Sequence, residues 1–264
     1  MAGRVRCARI CSANISAIFF DLDNTLIPTR RGDKLACEQV YLSLREQYNV
    51  PHDKAHDCTK KFLHAFRKCP DNKDCPSLDE WRRLLWAEAL GNDYRHLAGA
   101  IYRQWLTLRY QYLALTPQVQ QMLVTLREMR FRLALITNGS SRAQWEKVQL
   151  LQVQRFFDLV LVSGDLPWEK PNANIFLQAC SILQVKPETA IMIGDKIETD
   201  ILGGQILAAT IWIRPSDTAT APPQACPDFT LSDVTHLSKV LNMAPSPPDL
   251  DDCNSNISNA SDGS

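Results

Sequence analysis

Two carboxylates stand one residue apart, Asp21 and Asp23 in the stretch IFFDLDNTL (18–26), directly behind a run of large apolar side chains. In extended backbone, side chains two apart point the same way, so both can face one substrate. Carboxylates that close repel unless one is protonated or a cation lies between them. Asp195, in IMIGD (191–195), supplies a third acid, and oxygen-only ligands of this kind suit Mg2+, which keeps several waters and bridges to substrate phosphate. With the metal present, Asp21 can attack phosphorus as a nucleophile. Lys170 supplies a cation for the phosphate, Thr137 a hydroxyl, and Asn138 and Gly139 backbone N–H groups at the start of a following helix. Asp23 is then free to protonate the leaving alcohol and later to deprotonate the attacking water.

Such a constellation needs elements that bring distant residues together. Residues 15–20 read as a short buried strand, and from about 34 to 113 the apolar spacing turns helical, in four helices. Ser77-Leu-Asp-Glu80 is a capping box opening a helix with Leu78, Trp81, Leu84, Leu85 and Ala89 on one face and Gly91 after its end. Past Leu115, strand and helix alternate. Thr116-Pro117 opens a helix, RLALITNG is a strand, 141–155 a helix, DLVLVSGD a strand, 173–184 a helix, AIMIGD a strand, 198–207 a helix and TIWIR a strand, with a last helix opened by Ser232. Short connections between alternating elements specify a parallel sheet covered on both faces, a doubly wound α/β fold. In such a sheet ligands bind outside the carboxyl ends of the strands, where Asp21, Thr137, Gly164 to Lys170 and Asp195 all fall. Trp81, Trp86 and Trp105 lie within helical apolar patterns and are expected to pack the helical segment's own core. The expected organisation is a basic overhang (1–14), an α/β core (15–30 and 114–243), a helical insert (31–113) and a disordered tail (244–264) rich in Pro, Ser, Asn and Asp.

Composition narrows the partners. The 264 residues are 45% hydrophobic and carry 29 basic and 29 acidic side chains, so no global charge draws the chain to nucleic acid or anionic lipid. No apolar run approaches the roughly 18 residues that cross a bilayer. The first residues carry Arg4, Arg6 and Arg9 without an acid, as targeting segments do, but run straight into a strand. The nine cysteines form no C-x-x-C pair and no zinc spacing, and fit free thiols in a reducing, cytoplasmic setting. A small molecule is the expected partner, with no obligate protein partner.

The motifs DLDNTL (21–26), TNG (137–139), EKP (169–171) and GDKIETD (194–200), in that order and each at a strand end, resemble those of the haloacid dehalogenase-like (HAD) superfamily. The resemblance covers about residues 15 to 243 and implies a Rossmann-like core with an inserted helical C1 cap. Within the superfamily the wording is most similar to the N-acylneuraminate-9-phosphatase family, which implies Mg2+-dependent hydrolysis of a sialic acid 9-phosphate through an aspartyl phosphate. Carried over by motif, Asp21 is nucleophile and metal ligand, and Asp23 is acid/base and binds metal through its carbonyl. Asp195 completes the metal site with Asp200 in support, while Leu22, Thr137, Asn138, Gly139 and Lys170 bind phosphate. Arg30 and Arg31, entering the insert, could clamp a substrate carboxylate or form a solvated link. The insert's RKCPDNKDCPS segment does not match that family, which leaves other phosphorylated sugars, glycolate or nucleotides open as substrates. A fold-retaining binding protein is the non-enzyme alternative, and its signature would be a lost aspartate.

Overall fold

The structure, a computed structural model, describes residues 14–214 and 226–241. The basic overhang, apart from its last residue, and the tail lie outside the described residues.

Six parallel strands form one sheet in the order β3-β2-β1-β4-β5-β6: β1 (Ala17–Phe20), β2 (Arg132–Thr137), β3 (Leu159–Val162), β4 (Ala190–Gly194), β5 (Ala209–Ile213) and β6 (Phe229–Leu231). β1 is apolar throughout and fully buried, as a central strand covered on both faces must be. The connections run outward from β1 through β2 to β3 and then return to β4 on its other side, so strand order reverses between β1 and β4. Register brings the motifs level: Phe20 pairs with Leu135 and with Ile193, so Asp21, Thr137 and Asp195 leave the sheet within two residues of one line.

Alternation along β1 separates two cores. Ile18 and Phe20 pack with Leu133, Leu135 and Ile193 under α5 (Pro117–Glu128) and α6 (Ser141–Leu150). Ala17 and Phe19 pack with Ile136 and Met192 under α7 (Ala173–Leu183). Four helices between β1 and α5 build a further apolar cluster: α1 (Thr29–Glu46), α2 (His52–Lys68), α3 (Leu78–Tyr94) and α4 (Ala98–Leu113). There Phe62 stacks on Trp86 at 3.8 Å and meets Trp105 edge-on, while Trp81 packs at the margin. α1 and α4 approach closely because Gly32 has no side chain; a Cβ there would lie 2.3 Å from Leu113 Cδ1.

Ser77 caps α3 by accepting from Glu80 N–H, and Thr116 caps α5 by accepting from Val119 N–H, as expected. Other boundaries differ. Helix begins at Thr29, whereas Gly91 (φ 67°) ends the regular run of α3 as expected, with a further turn beyond it to Tyr94. The helix expected over 141–155 ends at Leu150, where Gln152 turns left-handed ahead of a 3₁₀ turn. The helix expected over 198–207 is one π turn, Ile197–Ile201, followed by a 3₁₀ turn, Gly204–Ile206. The last helix is a 3₁₀ segment, Val234–Lys239, capped by Asp233, and β6 was not foreseen. Among the described residues no helix is long and apolar enough to cross a membrane.

Candidate active site

The end of β1 is bonded to β4 by Asp21 N–H, which donates to Ile193 O at 2.9 Å and leaves the Asp21 carboxylate at the sheet's carboxyl edge. Its Oδ1 accepts from Lys170 Nζ at 2.7 Å and its Oδ2 from Thr25 Oγ1 at 3.2 Å. Lys170, 2% exposed, also reaches Asp200 Oδ1 at 2.7 Å and the Ile136 carbonyl at 2.7 Å. One lysine therefore serves two buried acids. Asp195 stands beside them, and carboxylate oxygens of Asp21, Asp195 and Asp200 lie within 4.8 Å of one another. Gly194 permits this: a Cβ there would fall 2.2 Å from Asp200 Oδ2.

Burial, reinforced by the neighbouring charges of Asp200 and Asp23 and opposed by Lys170, pushes Asp21 up to about 7. Burial and Asp200 push Asp195 up to about 6 against the pull of Arg30. Burial works against the charge of Lys170 as well, but Asp21 and Asp200 hold it above the ordinary lysine range. Three acids face Lys170 and the largely exposed Arg30, an excess of acid over base, and Asp195 Oδ1 is buried without a hydrogen-bond partner. A hard cation with oxygen ligands fits this donor set.

Beside the acids, Thr137 Oγ1 is buried and also lacks a partner, as a hydroxyl kept for a ligand would. Asn138 does more than expected. Its side chain accepts from Lys170 N–H at 2.9 Å and donates to Lys170 O at 2.8 Å, bracing the backbone that carries the lysine. Gly139 N–H, expected to face an anion, donates to Ser163 Oγ at 3.0 Å in this arrangement. The Leu22 side chain is wholly buried and its carbonyl accepts from Leu26 and Ile27, so any contact to a ligand falls to its N–H.

Asp23 is turned out of the acidic cluster. Both its oxygens meet Lys147 Nζ, at 2.6 and 2.8 Å; Gln144 Nε2 donates at 3.0 Å, and Thr29 Oγ1 donates as well. Burial opposes its charge, but Lys147 with Thr29 and Gln144 outweighs that and holds its carboxyl well below the usual carboxylate range. None of these three partners was singled out in the sequence. Their one signal is the three-residue spacing of Gln144 and Lys147 on the helix after TNG, which puts both on one face.

Arg30 lies 3.4 Å from Asp195 Oδ2, with its backbone O accepting from Arg67 at 2.7 Å. Arg31 is exposed on α1. The helical insert meets α6 at two points. Arg142 donates to Asp71 and to the carbonyls of Asn72, Cys75 and Pro76, and Glu146 accepts from the buried Arg82 and from Tyr110. Cys69 and Cys75 are free thiols, as expected.

The geometry has counterparts. The family model for haloacid dehalogenase-like hydrolases matches residues 15–206. N-acylneuraminate-9-phosphatase of Rattus norvegicus is 34% identical over 87% of this chain and 94% of its own length, and that of Homo sapiens is 34% identical with the same coverage. A glyceraldehyde 3-phosphate phosphatase of Methanopyrus kandleri is 32% identical over 72% of this chain and 79% of its own length. Among solved structures, a 2-haloacid dehalogenase from Pseudomonas syringae superposes with a TM-score of 0.54 at 27% identity, covering 86% of this chain and 98% of that one. With four motifs gathered at one sheet edge and a family model spanning residues 15–206, the chain belongs to the haloacid dehalogenase-like hydrolases.

Proposed function

We propose that the chain is a Mg2+-dependent phosphomonoesterase that works through an aspartyl phosphate on Asp21 and hydrolyses N-acylneuraminate 9-phosphate to N-acylneuraminate and phosphate. The observation that carries the chemistry is the divergence of two neighbouring aspartates. Asp21 lies in the acidic cluster against Lys170 at 2.7 Å, whereas Asp23 lies outside it against Lys147 at 2.6 Å. This divergence supports a reading in which Asp21 attacks and Asp23 moves protons.

In this reading an Asp21 oxygen bonds to phosphorus as the bond from phosphorus to the ester oxygen breaks. Asp23, which Lys147 keeps ionised in the free protein, takes up a proton before this step, gives it to that oxygen, and the alcohol leaves. Water then attacks phosphorus, Asp23 takes the water's proton, and the bond to Asp21 breaks to release phosphate. Lys170 offsets the approach of carboxylate to phosphate, with the Thr137 hydroxyl and the N–H groups of Leu22 and Asn138 holding the phosphate oxygens, and that of Gly139 joining them once it leaves Ser163. Asp21, Asp195 and the Asp23 carbonyl would hold Mg2+, with Asp200 in support; bound there, the ion supplies charge neutralisation at the phosphate.

Asp23 also separates this reading from dehalogenation. A halide departs without a proton, whereas an alkoxide needs one. Residues 31–113 serve as a cap over the core formed by 15–30 and 114–243, and Arg30 and Arg31 contact substrate. The substrate assignment is supported by relatives so named that match along 87% of this chain, and the free thiols support a cytoplasmic setting.

The test is phosphate release from a panel holding N-acylneuraminate 9-phosphate, glyceraldehyde 3-phosphate, phosphoglycolate and nucleoside monophosphates, with Mg2+ or EDTA. The sialate ester should lead, and EDTA and Asp21→Asn should each abolish turnover. Another ester leading would overturn the substrate and leave the chemistry; no release from any ester would overturn both.

A further inference from the structure

Lys147 has no part in the chemistry described so far, yet it is among the most buried cations of the chain at 7% exposure. Its Nζ bridges both oxygens of Asp23, at 2.8 and 2.6 Å, from a helix 124 residues away in sequence. Lysine is almost never buried without a partner that needs it. Gln144, one turn earlier on the same face, adds a donor to Asp23 Oδ2 at 3.0 Å.

An aspartate that must first deliver and then collect a proton at one oxygen of the substrate needs its carboxyl plane fixed, because a displacement of about 1 Å can cost roughly a hundredfold in rate. Two side-chain torsions would otherwise leave it free. Thr29 on Oδ1 and Gln144 on Oδ2 set which way the plane is turned, and Lys147, the cation spanning both oxygens, locks it there. The helix holding them is itself immobilised: Arg142 and Glu146, four apart on α6, are bonded to the insert through Asp71 and Arg82. α6 thus fixes Asp23 relative to both the sheet edge and the helices above it.

We infer that Lys147, aided by Gln144, is the positioning residue of Asp23 and acts on leaving-group departure without touching substrate. The inference rests on the phosphatase reading. Its signature is dependence on the leaving group. An alkyl phosphate needs the proton from Asp23 as the alcohol departs, whereas p-nitrophenyl phosphate releases a stable phenolate that does not. kcat/KM covers the steps up to that departure and leaves out hydrolysis of the aspartyl phosphate.

The experiment measures kcat/KM with the full chain on the best alkyl phosphate of the panel and on p-nitrophenyl phosphate, for the unsubstituted protein, Lys147→Met, Lys147→Arg and Asp23→Asn. Lys147→Met should lose about tenfold or more on the alkyl ester and stay within about threefold on the aryl ester, as loss of a positioned acid predicts. Asp23→Asn should show the same bias, and Lys147→Arg should recover part of the alkyl activity. Equal losses on the two esters, the result of a structural or phosphate-binding lysine, overturn the inference, as does no loss on either. If Lys147→Met does not fold, Lys147→Gln, which keeps a donor without the charge, is read by the same ratio. No release from either ester by the unsubstituted protein would instead overturn the phosphatase reading, which separates the two failures.

Discussion

Lys170 shows what a single buried charge does at this site. It holds Asp21 and Asp200 at 2.7 Å each while 2% exposed, so the cation and its acids depend on one another. Removing one partner of a buried pair leaves an uncompensated charge, a loss of roughly 3–5 kcal/mol. Lys170→Met should therefore unfold at clearly lower urea concentration than the parent at neutral pH in EDTA, and a midpoint within error of the parent would show that the acids do not need it. Lys170 was legible in the sequence because it stands before Pro171 at a strand-end loop, where chemistry in a parallel sheet collects. Asp21, Thr137 and Asp195 were legible for the same reason. Lys147 was not: in the run AQWEKVQL it reads as the solvated side of a helix, and only the tertiary fold reveals that its face meets Asp23. The second role of Asn138, bracing Lys170 from 32 residues away, was hidden for the same physical reason.

Among the elements, α6 links the sheet to the helical insert through the side chains of Arg142 and Glu146. Its Glu146 accepts from Arg82, which is 1% exposed, at 2.7 Å and from Tyr110 at 2.7 Å. Glu146→Ala would leave that guanidinium buried and unpaired, with an expected cost of about 3–5 kcal/mol; Glu146→Gln, which keeps an acceptor, should cost less. Hydrogen exchange would place the effect, with faster exchange expected in α3 and α4 than in β1 and β4. Uniform acceleration over the whole chain would argue against a local coupling. Elements with strong local signals were read correctly, as the caps at Ser77 and Thr116 illustrate. β6 escaped because three residues, one of them exposed, give no periodicity to detect. The helix expected over 198–207 is present but winds as a π turn and then a 3₁₀ turn, because contacts from outside override its local preference. Asp200 Oδ2 accepts Lys196 N–H, and Gly203 lets Pro171 and Phe176 come so close that a Cβ would lie 2.8 Å from Pro171 Cα. Tertiary demands at the site bent the backbone that local propensity would have wound as α-helix.

For the molecule as a whole, a chain with 29 basic and 29 acidic residues concentrates uncompensated negative charge at one sheet edge, and its stability should register that. Asp21 is pushed up to about 7 and Asp195 to about 6, against 3.8 for an unperturbed aspartate. The folded, metal-free protein therefore binds these protons more tightly than the unfolded chain. The stabilisation is fully present below the unfolded value and is lost as pH rises through the folded ones. Asp23 works in the opposite sense, but its carboxyl lies well below the usual range, so its loss belongs to more acidic solution. In EDTA the melting temperature should accordingly fall between about pH 4 and about pH 7 and level off above. A cation that binds only the folded state stabilises it by mass action and requires the acids deprotonated. The increment produced by added Mg2+ should therefore grow over the same interval, and Asp195→Asn should reduce it at the alkaline end. Differential scanning fluorimetry across that range, with and without Mg2+, checks both signs. An increment independent of pH, or one that survives the Asp195 change intact, would mean that the cation binds away from this cluster. An increment that opens with rising pH would tie the sheet edge, its surplus charge and the metal to one site.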